Sequence, residues 1–413
     1  MHHYVEKMML VPEYLPQFQC IGPDCEDHCC KGWYVSVDKK SYLALKESSN
    51  PVVAPLVAHG ISRNRGPQAG ERQYAKAKQD EETGCCIMFS TDKLCHIQKE
   101  LGEGYLPHTC SIYPRYTRQL FGIYQQSLTF SCPEAARKGL MLTEPMQFVE
   151  AKIRVREELI EKTVTKHAED AALANDIRFF CINLLQHRTI PLWQRIAVLG
   201  YFCEQADQLR QQNQHANIPQ LIESLIDSLG TEEWPQLFAA IQANISDKVN
   251  AALSLLLLQQ LRSSAEYYRK VLGLVLTSLG VEEDKFDIAK STARYQAALE
   301  LGARDFLIQH EFILENLLVN DAFTNGFPFA SGKSWFDGWL WLFAFYEMVV
   351  CSWVGLFASF GQKMDTDTAV TATQSLVKSF QHAPDAYKKM IVDVFKQKGF
   401  STLANNLPLL KPE

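Results

Sequence analysis

Twelve cysteines stand out in this chain, and nine lie at or before residue 132: Cys20, Cys25, Cys29, Cys30, Cys85, Cys86, Cys95, Cys110 and Cys132. The first group reads Cys20-x4-Cys25-x3-Cys29-Cys30 and runs into Lys31, Gly32 and Trp33. The second reads Cys86-x8-Cys95-x14-Cys110, and Cys132 closes the series. Thiolates are soft, strong ligands, and four of them suit zinc or an iron–sulfur cluster. Closely spaced cysteines converge when the backbone between them loops around a metal. The expected ligand pool is Cys20, Cys25, Cys29, Cys30, Cys86, Cys95, Cys110 and Cys132. Cys29 and Cys30 are adjacent and expected to point in different directions, so one of them faces a second site or has a redox or packing role. An iron–sulfur cluster is the first reading. Zinc is the alternative, since neither C-x2-C pair of a zinc ribbon is present. His28, His96 and His108 lie among the cysteines, as alternative donors or as residues beside the ligands.

Two plainer readings compete. Buried cysteines can act as small hydrophobes, but these cluster beside Gly, Pro, Asp and His. A disulfide framework needs an oxidising compartment. Residues 1–20 contain Pro12 and Pro16, are broken by Glu6 and Glu13, and lack the apolar stretch of a signal peptide. The expectation is therefore a reducing, cytoplasmic setting.

The elements that must position these thiols can be sketched. With 413 residues and 47% hydrophobic content, the chain can bury a sizeable core in two or three domains. A formal net charge of −6 offers no global basic field, so neither nucleic acid nor an anionic membrane is an expected partner. The predicted fold class is mainly α: an irregular cysteine-rich metal-binding module over 1–143, then a helical domain over 144–413, with the boundary near Thr143–Pro145. In the module, Trp33, Val35 and Val37 alternate with polar neighbours and predict a short strand. Residues 39–57 read as helix, interrupted by Pro51 and ended by Gly60. Residues 62–83 read as a solvated loop.

Beyond the boundary, Phe148, Ala151, Val155 and Leu159 follow helical spacing. Tyr387, Met390, Ile391, Val394 and Phe395 form a helical stripe, with Pro384 at its first position and Gly399 at its C-terminal cap. Breaks fall at 230–232 and 280–283, and no fixed repeat period emerges. Residues 338–361 carry one formal charge, Glu347, and four of the seven tryptophans fall at Trp335, Trp339, Trp341 and Trp353. That length can span a bilayer, yet a charge mid-segment is costly there. A buried core helix is the expectation; peripheral membrane contact or self-association through 335–361 is the alternative.

The cysteine module resembles the flagellin lysine-N-methylase family. The resemblance runs from Pro12-Glu13-Tyr14 and Cys20 through Cys25-Glu26-Asp27-His28-Cys29-Cys30-Lys31-Gly32-Trp33 and Asp38. It continues in Cys86-Ile87-Met88-Phe89, Leu94-Cys95, Leu101-Gly102, Thr109-Cys110 and Tyr113-Pro114-Arg115. It ends at Ser131-Cys132-Pro133-Glu134-Ala135-Ala136-Arg137. The pattern is shared more loosely with small zinc- or iron-chelating proteins. The helical remainder is similar in character, with Glu315-Asn316 and Phe327-Pro328-Phe329 its most recognisable parts.

The resemblance implies methyl transfer from S-adenosylmethionine to lysine amines of flagellin, in the cytosol, with a [4Fe–4S] cluster. Residue chemistry reaches the metal but not the transfer. No G-x-G-x-x-G follows a strand: Gly102-Glu103-Gly104 runs into Tyr105-Leu106-Pro107. The radical-type C-x3-C-x2-C is also missing, with Gly32 at the third cysteine's place. A lysine amine attacks only when neutral, and its ordinary pKa is about 10.4. Candidate catalytic bases are Asp27, Asp38 and Tyr113, with Asp38 read first as a helix N-cap before Lys39. Arg115 is the candidate for the donor carboxylate, or else pairs with Glu134. An iron with three cysteine ligands leaves an open position for the donor's amino-acid part. The competing function is a non-enzymatic iron–sulfur or zinc protein for electron transfer or scaffolding.

Overall fold

The computed structural model describes residues 4–32, 35–67, 69–162, 171–260, 266–329, 334–381 and 385–412. Residues 148–156 read FVEAKIRVR, in which Val149, Ala151, Ile153 and Val155 alternate with Glu150, Lys152, Arg154 and Arg156. That period of two suits a strand, although Phe148, Ala151 and Val155 also fall at helical spacing. The structure forms the strand, so the helix expected over 148–159 is corrected. The partner decides between the two periods: Tyr4–Pro12 pairs antiparallel along the whole length, from Tyr4 opposite Arg156 to Pro12 opposite Phe148.

The strands in chain order are β1 (Tyr4–Pro12), β2 (Ser36–Val37), β3 (Ile61–Arg63), β4 (Ala75–Ala77), β5 (Arg115–Leu120), β6 (Ile123–Leu128), β7 (Phe148–Arg156) and β8 (Glu161–Lys162). They build a five-stranded mixed sheet, β7-β1-β6-β5-β8, and a three-stranded sheet, β2-β4-β3. The hairpin β5–β6 turns on Phe121 and Gly122, both at positive φ (46° and 82°), as a two-residue turn matched to strand twist requires. The cysteine-bearing part is thus less irregular than expected. Strand β4 crosses the stretch expected to be a solvated loop, and its Ala75 and Ala77 are buried. Of the strand predicted around Val35, Ser36–Val37 forms; Trp33 and Tyr34 lie outside the described residues.

Two units divide the chain. The first is made chiefly of Met1–Lys138 and Gln147–Val164. It contains helices α1 (Lys39–Lys46), α2 (Val53–Gly60), α3 (His96–Leu101), α4 (His108–Ile112) and α5 (Pro133–Leu140). A core of Val35, Val37, Leu45, Val53, Val57, Ile61, Met88, Ile97 and Leu106 also takes in Cys86, with Cys30, Cys95 and Cys110 packed against it. Burying each such aliphatic side chain contributes roughly 1.5–3 kcal/mol. Gly60 is a close-packing point, since a Cβ there would meet Ile87 at 2.4 Å.

The second unit is made chiefly of Gly139–Met146, Thr165–Ser263 and Tyr268–Glu413. Its helices are α6 (Ala171–Leu185), α7 (Leu192–Gln211), α8 (Ile218–Leu229), α9 (Glu233–Ala240), α10 (Ile245–Gln260), α11 (Glu266–Ser278), α12 (Ile288–Ala298), α13 (Arg304–Gln309), α14 (Glu311–Asn325), α15 (Trp335–Phe360), α16 (Thr366–Gln381), α17 (Asp385–Gln397) and α18 (Leu403–Leu410). The chain is mainly α, as the composition predicts. The breaks at 230–232 and 280–283 separate α8 from α9 and α11 from α12. After α17, Gly399 takes φ 94° and the Phe400 amide reaches back to the Phe395 carbonyl at 3.1 Å, a left-handed stop. The expected Pro384 start lies outside the described residues.

Helix α15 is the apolar 335–361 segment, and its most apolar stretch is wholly buried within the unit. It packs against α7, α10, α12, α16 and α17. Trp339 donates to the Ile196 carbonyl at 2.8 Å, and Trp353 donates to Thr373 at 3.1 Å. Gly200 admits Trp339 so closely that a Cβ would lie 2.6 Å from the ring. Asp207 of α7 accepts from the amides of Trp335 and Phe336, each at 3.0 Å, and so caps the helix start. The expected core helix is formed. Its buried apolar side chains pack against the neighbouring helices of the unit.

Candidate metal centre

The candidate site begins with a turn. The Lys31 amide donates to the His28 carbonyl at 3.2 Å, which puts Cys29 and Cys30 at the two central positions. Their thiols hydrogen-bond each other. Side chains point apart on extended backbone, not in a turn, so the expectation that these two diverge is corrected. A backbone bond then joins the distant cysteine groups: the Cys86 amide donates to the Cys30 carbonyl at 2.8 Å. The His96 amide donates to the Met88 carbonyl, also at 2.8 Å, and folds Cys95 back on the Cys86 segment.

Cys95, Cys110 and Cys132 are each set by a helix. Cys95 is the N-cap of α3, where the nearby amides of Gln98 and Ile97 favour its thiolate. Cys110 lies within α4. Cys132 immediately precedes α5, and its sulfur accepts from the amides of Glu134 and Ala135. Helix N-termini favour thiolate over thiol. Burial works the other way and is larger at all three positions. It pushes Cys132 up to about 12, and it raises Cys95 and Cys110, where neighbouring thiols add for both. Burial also leads at Cys86 and Cys25, each raised to about 11. At Cys30 the hydrogen bond with Cys29 leads, then burial, then Cys29, Cys95 and Cys110.

These mutual influences sort the eight expected ligands into two neighbourhoods. Cys29, Cys30, Cys86, Cys95 and Cys110 act on one another. Cys132 is acted on by Cys25 and Cys20, and Cys25 in turn feels Cys29. Arg137 links the second neighbourhood to α5, reaching Glu26 at 2.5 Å and Glu134 at 3.2 Å. All twelve cysteines are thiols, without a disulfide. Among the described residues, no group of three or more His, Cys, Asp or Glu is arranged to hold a metal ion. The fit to a thiolate-ligated group therefore lies in donor chemistry: several soft sulfurs share one partly buried neighbourhood beside an apolar core.

Asp38 is 2% exposed. It caps α1 through the Ser41 amide at 2.9 Å, and its other oxygen takes the His108 amide at 3.0 Å. Burial alone would raise its carboxyl, but these amides and the nearby His108 ring outweigh it and hold the group below its ordinary value. The cap reading is thus the one the structure forms, and it ties α1 to the start of the Cys110 helix. The Tyr113 hydroxyl lies 3.2 Å from Ser131, and burial, then Cys132, puts its phenol well above the ordinary value. Asp27 is partly buried, and its charge is felt at both Cys25 and Tyr113.

Arg115 lies over the Phe18 ring at 5.3 Å. Burial lowers its pKa, while Glu103, Cys20 and Cys132 hold it up. The expected pair with Glu134 is not formed. Glu134 is occupied by Arg137 at 3.2 Å and Lys138 at 3.6 Å, its helix neighbours three and four residues on. Sequence reading missed Arg156, which is 2% exposed and donates to the carbonyls of Leu106 at 3.1 Å and Glu103 at 2.7 Å. The only signal was its place at the end of an alternating strand pattern.

In the second unit, Glu315 accepts from Arg188 at 2.9 Å and from Arg195 at 2.6 Å, while Glu311 takes Arg195 at 2.8 Å. Asn316 donates to the carbonyls of Leu140 and Leu142 at 3.0 and 2.8 Å. Glu315-Asn316 is therefore a buried anchor for the residues that lead into the helices.

A family model described as the FliB lysine N-methylase C-terminal domain matches residues 178–409. A lysine-N-methylase of Salmonella typhimurium (strain LT2) is 27% identical over 333 residues, 77% of this chain and 78% of the relative. A relative of the same name from Salmonella choleraesuis (strain SC-B67) matches to the same extent. A flagellar biosynthetic protein FliU of Salmonella muenchen is 31% identical over 154 residues, 37% of this chain and 88% of the relative. No solved structure matches.

Proposed function

Because the chain belongs to the FliB lysine N-methylase family, we propose that it is a protein-lysine N-methyltransferase that modifies flagellin in the cytoplasm with S-adenosylmethionine as donor. The observation that carries this reading is the family match across the helical unit, joined by a relative named lysine-N-methylase over most of the chain. The name of the shorter relative, a flagellar biosynthetic protein, supports a flagellar substrate.

The soft donor chemistry of the cysteines supports a [4Fe–4S] cluster, with zinc as the alternative. Cys29, Cys30, Cys86, Cys95 and Cys110 are the residues that would hold it, and Cys20, Cys25 and Cys132 flank them. A bound cluster supplies electron-transfer or Lewis-acid chemistry. The chain's own residues have separate tasks. The amides at Cys95 and Cys132 favour the thiolate form, and Arg115 offsets negative charge at Cys20 and Cys132. Asp38 positions Cys110 through His108, and both its oxygens are occupied by amides. Asp27 and Tyr113 are the candidate bases beside the thiols for an incoming amine, which must lose its proton before it attacks.

The test combines protein purified without oxygen, a labelled methyl donor, a reductant and flagellin. Methyl-lysine on flagellin, found by mass spectrometry and absent from a generic lysine-rich protein, is the expected result. No methyl-lysine from a fully iron- and sulfide-loaded sample would turn the reading to a non-enzymatic iron–sulfur protein. Stoichiometric zinc without sulfide would replace the cluster but keep the metal.

A further inference from the structure

A half-open cavity of about 330 Å³, with a mixed polar and apolar lining, lies in the first unit between α1 and the turn Glu103–Tyr105. Its lining includes Lys40, Ser41, Ala44, Glu47, Ser48 and Tyr105. The turn that forms one wall is fixed from behind. The buried Arg156 guanidinium donates to the carbonyls of Glu103 and Leu106, and the Ser41 hydroxyl also reaches the Leu106 carbonyl at 3.4 Å. The helical wall is fixed by its cap, Asp38, through the Ser41 amide. Through its other oxygen the same carboxylate holds the amide of His108, at the start of the helix that carries Cys110. One buried side chain therefore anchors both the cavity wall and a thiol of the candidate metal centre.

The lining offers one ammonium from Lys40, one carboxylate from Glu47, the Ser48 hydroxyl and the Tyr105 phenol. A lone cation such as a lysine side chain would meet Lys40 as a like charge. A zwitterion satisfies both charges, with its carboxylate on Lys40 and its ammonium on Glu47. The volume lies at the lower end of small-ligand pockets, of order 300–1,000 Å³, which suits part of a ligand rather than a large one held whole. We propose that this cavity binds the α-amino-acid end of the methyl donor. The assignment rests on the methyltransferase reading above. It also frees Arg115, whose charge faces Glu103, Cys20 and Cys132, from that task.

The probe is labelled S-adenosylhomocysteine, the demethylated donor, bound to the full-length protein in equilibrium dialysis. Lys40→Gln and Glu47→Gln alter exposed side chains and leave the fold intact. Each should weaken binding about tenfold, the cost of one charge-assisted hydrogen bond. Lys46→Gln, on the same helix but outside the lining, should bind as the parent does. n-Butylamine, a lone cation with no carboxylate, should not compete. Parent-like affinity in both Lys40→Gln and Glu47→Gln, with the parent binding the probe, overturns the cavity and leaves the methyltransferase reading standing. Competition by n-butylamine overturns the zwitterion assignment. A parent protein that binds no probe, and transfers no methyl group, overturns the methyltransferase reading and the cavity with it.

Discussion

Removing the Asp38 carboxylate should loosen the helix that carries Cys110. In the native chain its two oxygens take the Ser41 amide at 2.9 Å and the His108 amide at 3.0 Å, in a site 2% exposed. Asp38→Ala removes a helix cap, which costs about 1 kcal/mol. It also leaves the His108 amide without its charged acceptor, a further loss of about 2 kcal/mol. The sum is about 3 kcal/mol, or roughly 6–12 °C in Tm for a domain of this size. Asp38→Asn keeps one acceptor and should lose about half as much. The pH dependence has a fixed sign. The folded carboxyl lies below its ordinary value, so its stabilisation is present above the unfolded pKa and is lost as pH falls through the folded one. The gap between parent and Asp38→Asn should therefore hold at neutral pH and close below about pH 4. Urea unfolding followed across pH, with iron analysis of each sample, measures both effects. An Asp38→Ala loss under 1 kcal/mol, or a gap that persists in acid, would refute the reasoning.

The other predictions concern both units. Cys29→Ser and Cys110→Ser should lose metal, whereas Cys181→Ser and Cys351→Ser, whose thiols are buried among helices, should keep it; equal iron in all four would sink the partition. Glu315→Gln leaves Arg195, 1% exposed, with Glu311 as its remaining carboxylate partner, so chemical denaturation should show a loss of about 1.5–3 kcal/mol, that of a hydrogen bond to a charged group. Glu347 is buried in α15, 3.7 Å from Lys248, and burial, despite that lysine, lifts its carboxyl to about 7. A raised carboxyl makes the native state the better proton binder between about pH 4.5 and 7. Stability of the helical unit should thus fall across that window by up to about 3 kcal/mol, a slope that calorimetry should find missing in Glu347→Gln.

The sequence by itself determined features whose signals sit in neighbouring residues. Cysteine type and spacing gave the donor chemistry, Asp38 before Lys39 gave the cap of α1, and Gly399 gave the stop after α17. The apolar run with Glu347 near its middle gave a core helix rather than a span, because a lone charge is tolerable only where another chain segment can answer it. Tertiary structure decided what depends on a distant partner. Residues 148–156 carry both a helical and a strand period, and only β1, far away in sequence, makes the strand the lower-energy choice. Cys29 and Cys30 face the same neighbourhood because a turn holds them, and they meet Cys86 through a backbone bond that no spacing rule encodes. Arg115 turns from Glu134 because Arg137 and Lys138 already occupy it on their shared helix. The Glu315-Asn316 pair, among the most recognisable parts of the helical remainder in sequence, serves as an anchor, since its arginines and carbonyls come from elsewhere in the chain. Local propensity is written in adjacent residues, whereas the pairing of buried polar groups is fixed only when the chain folds and leaves them no water.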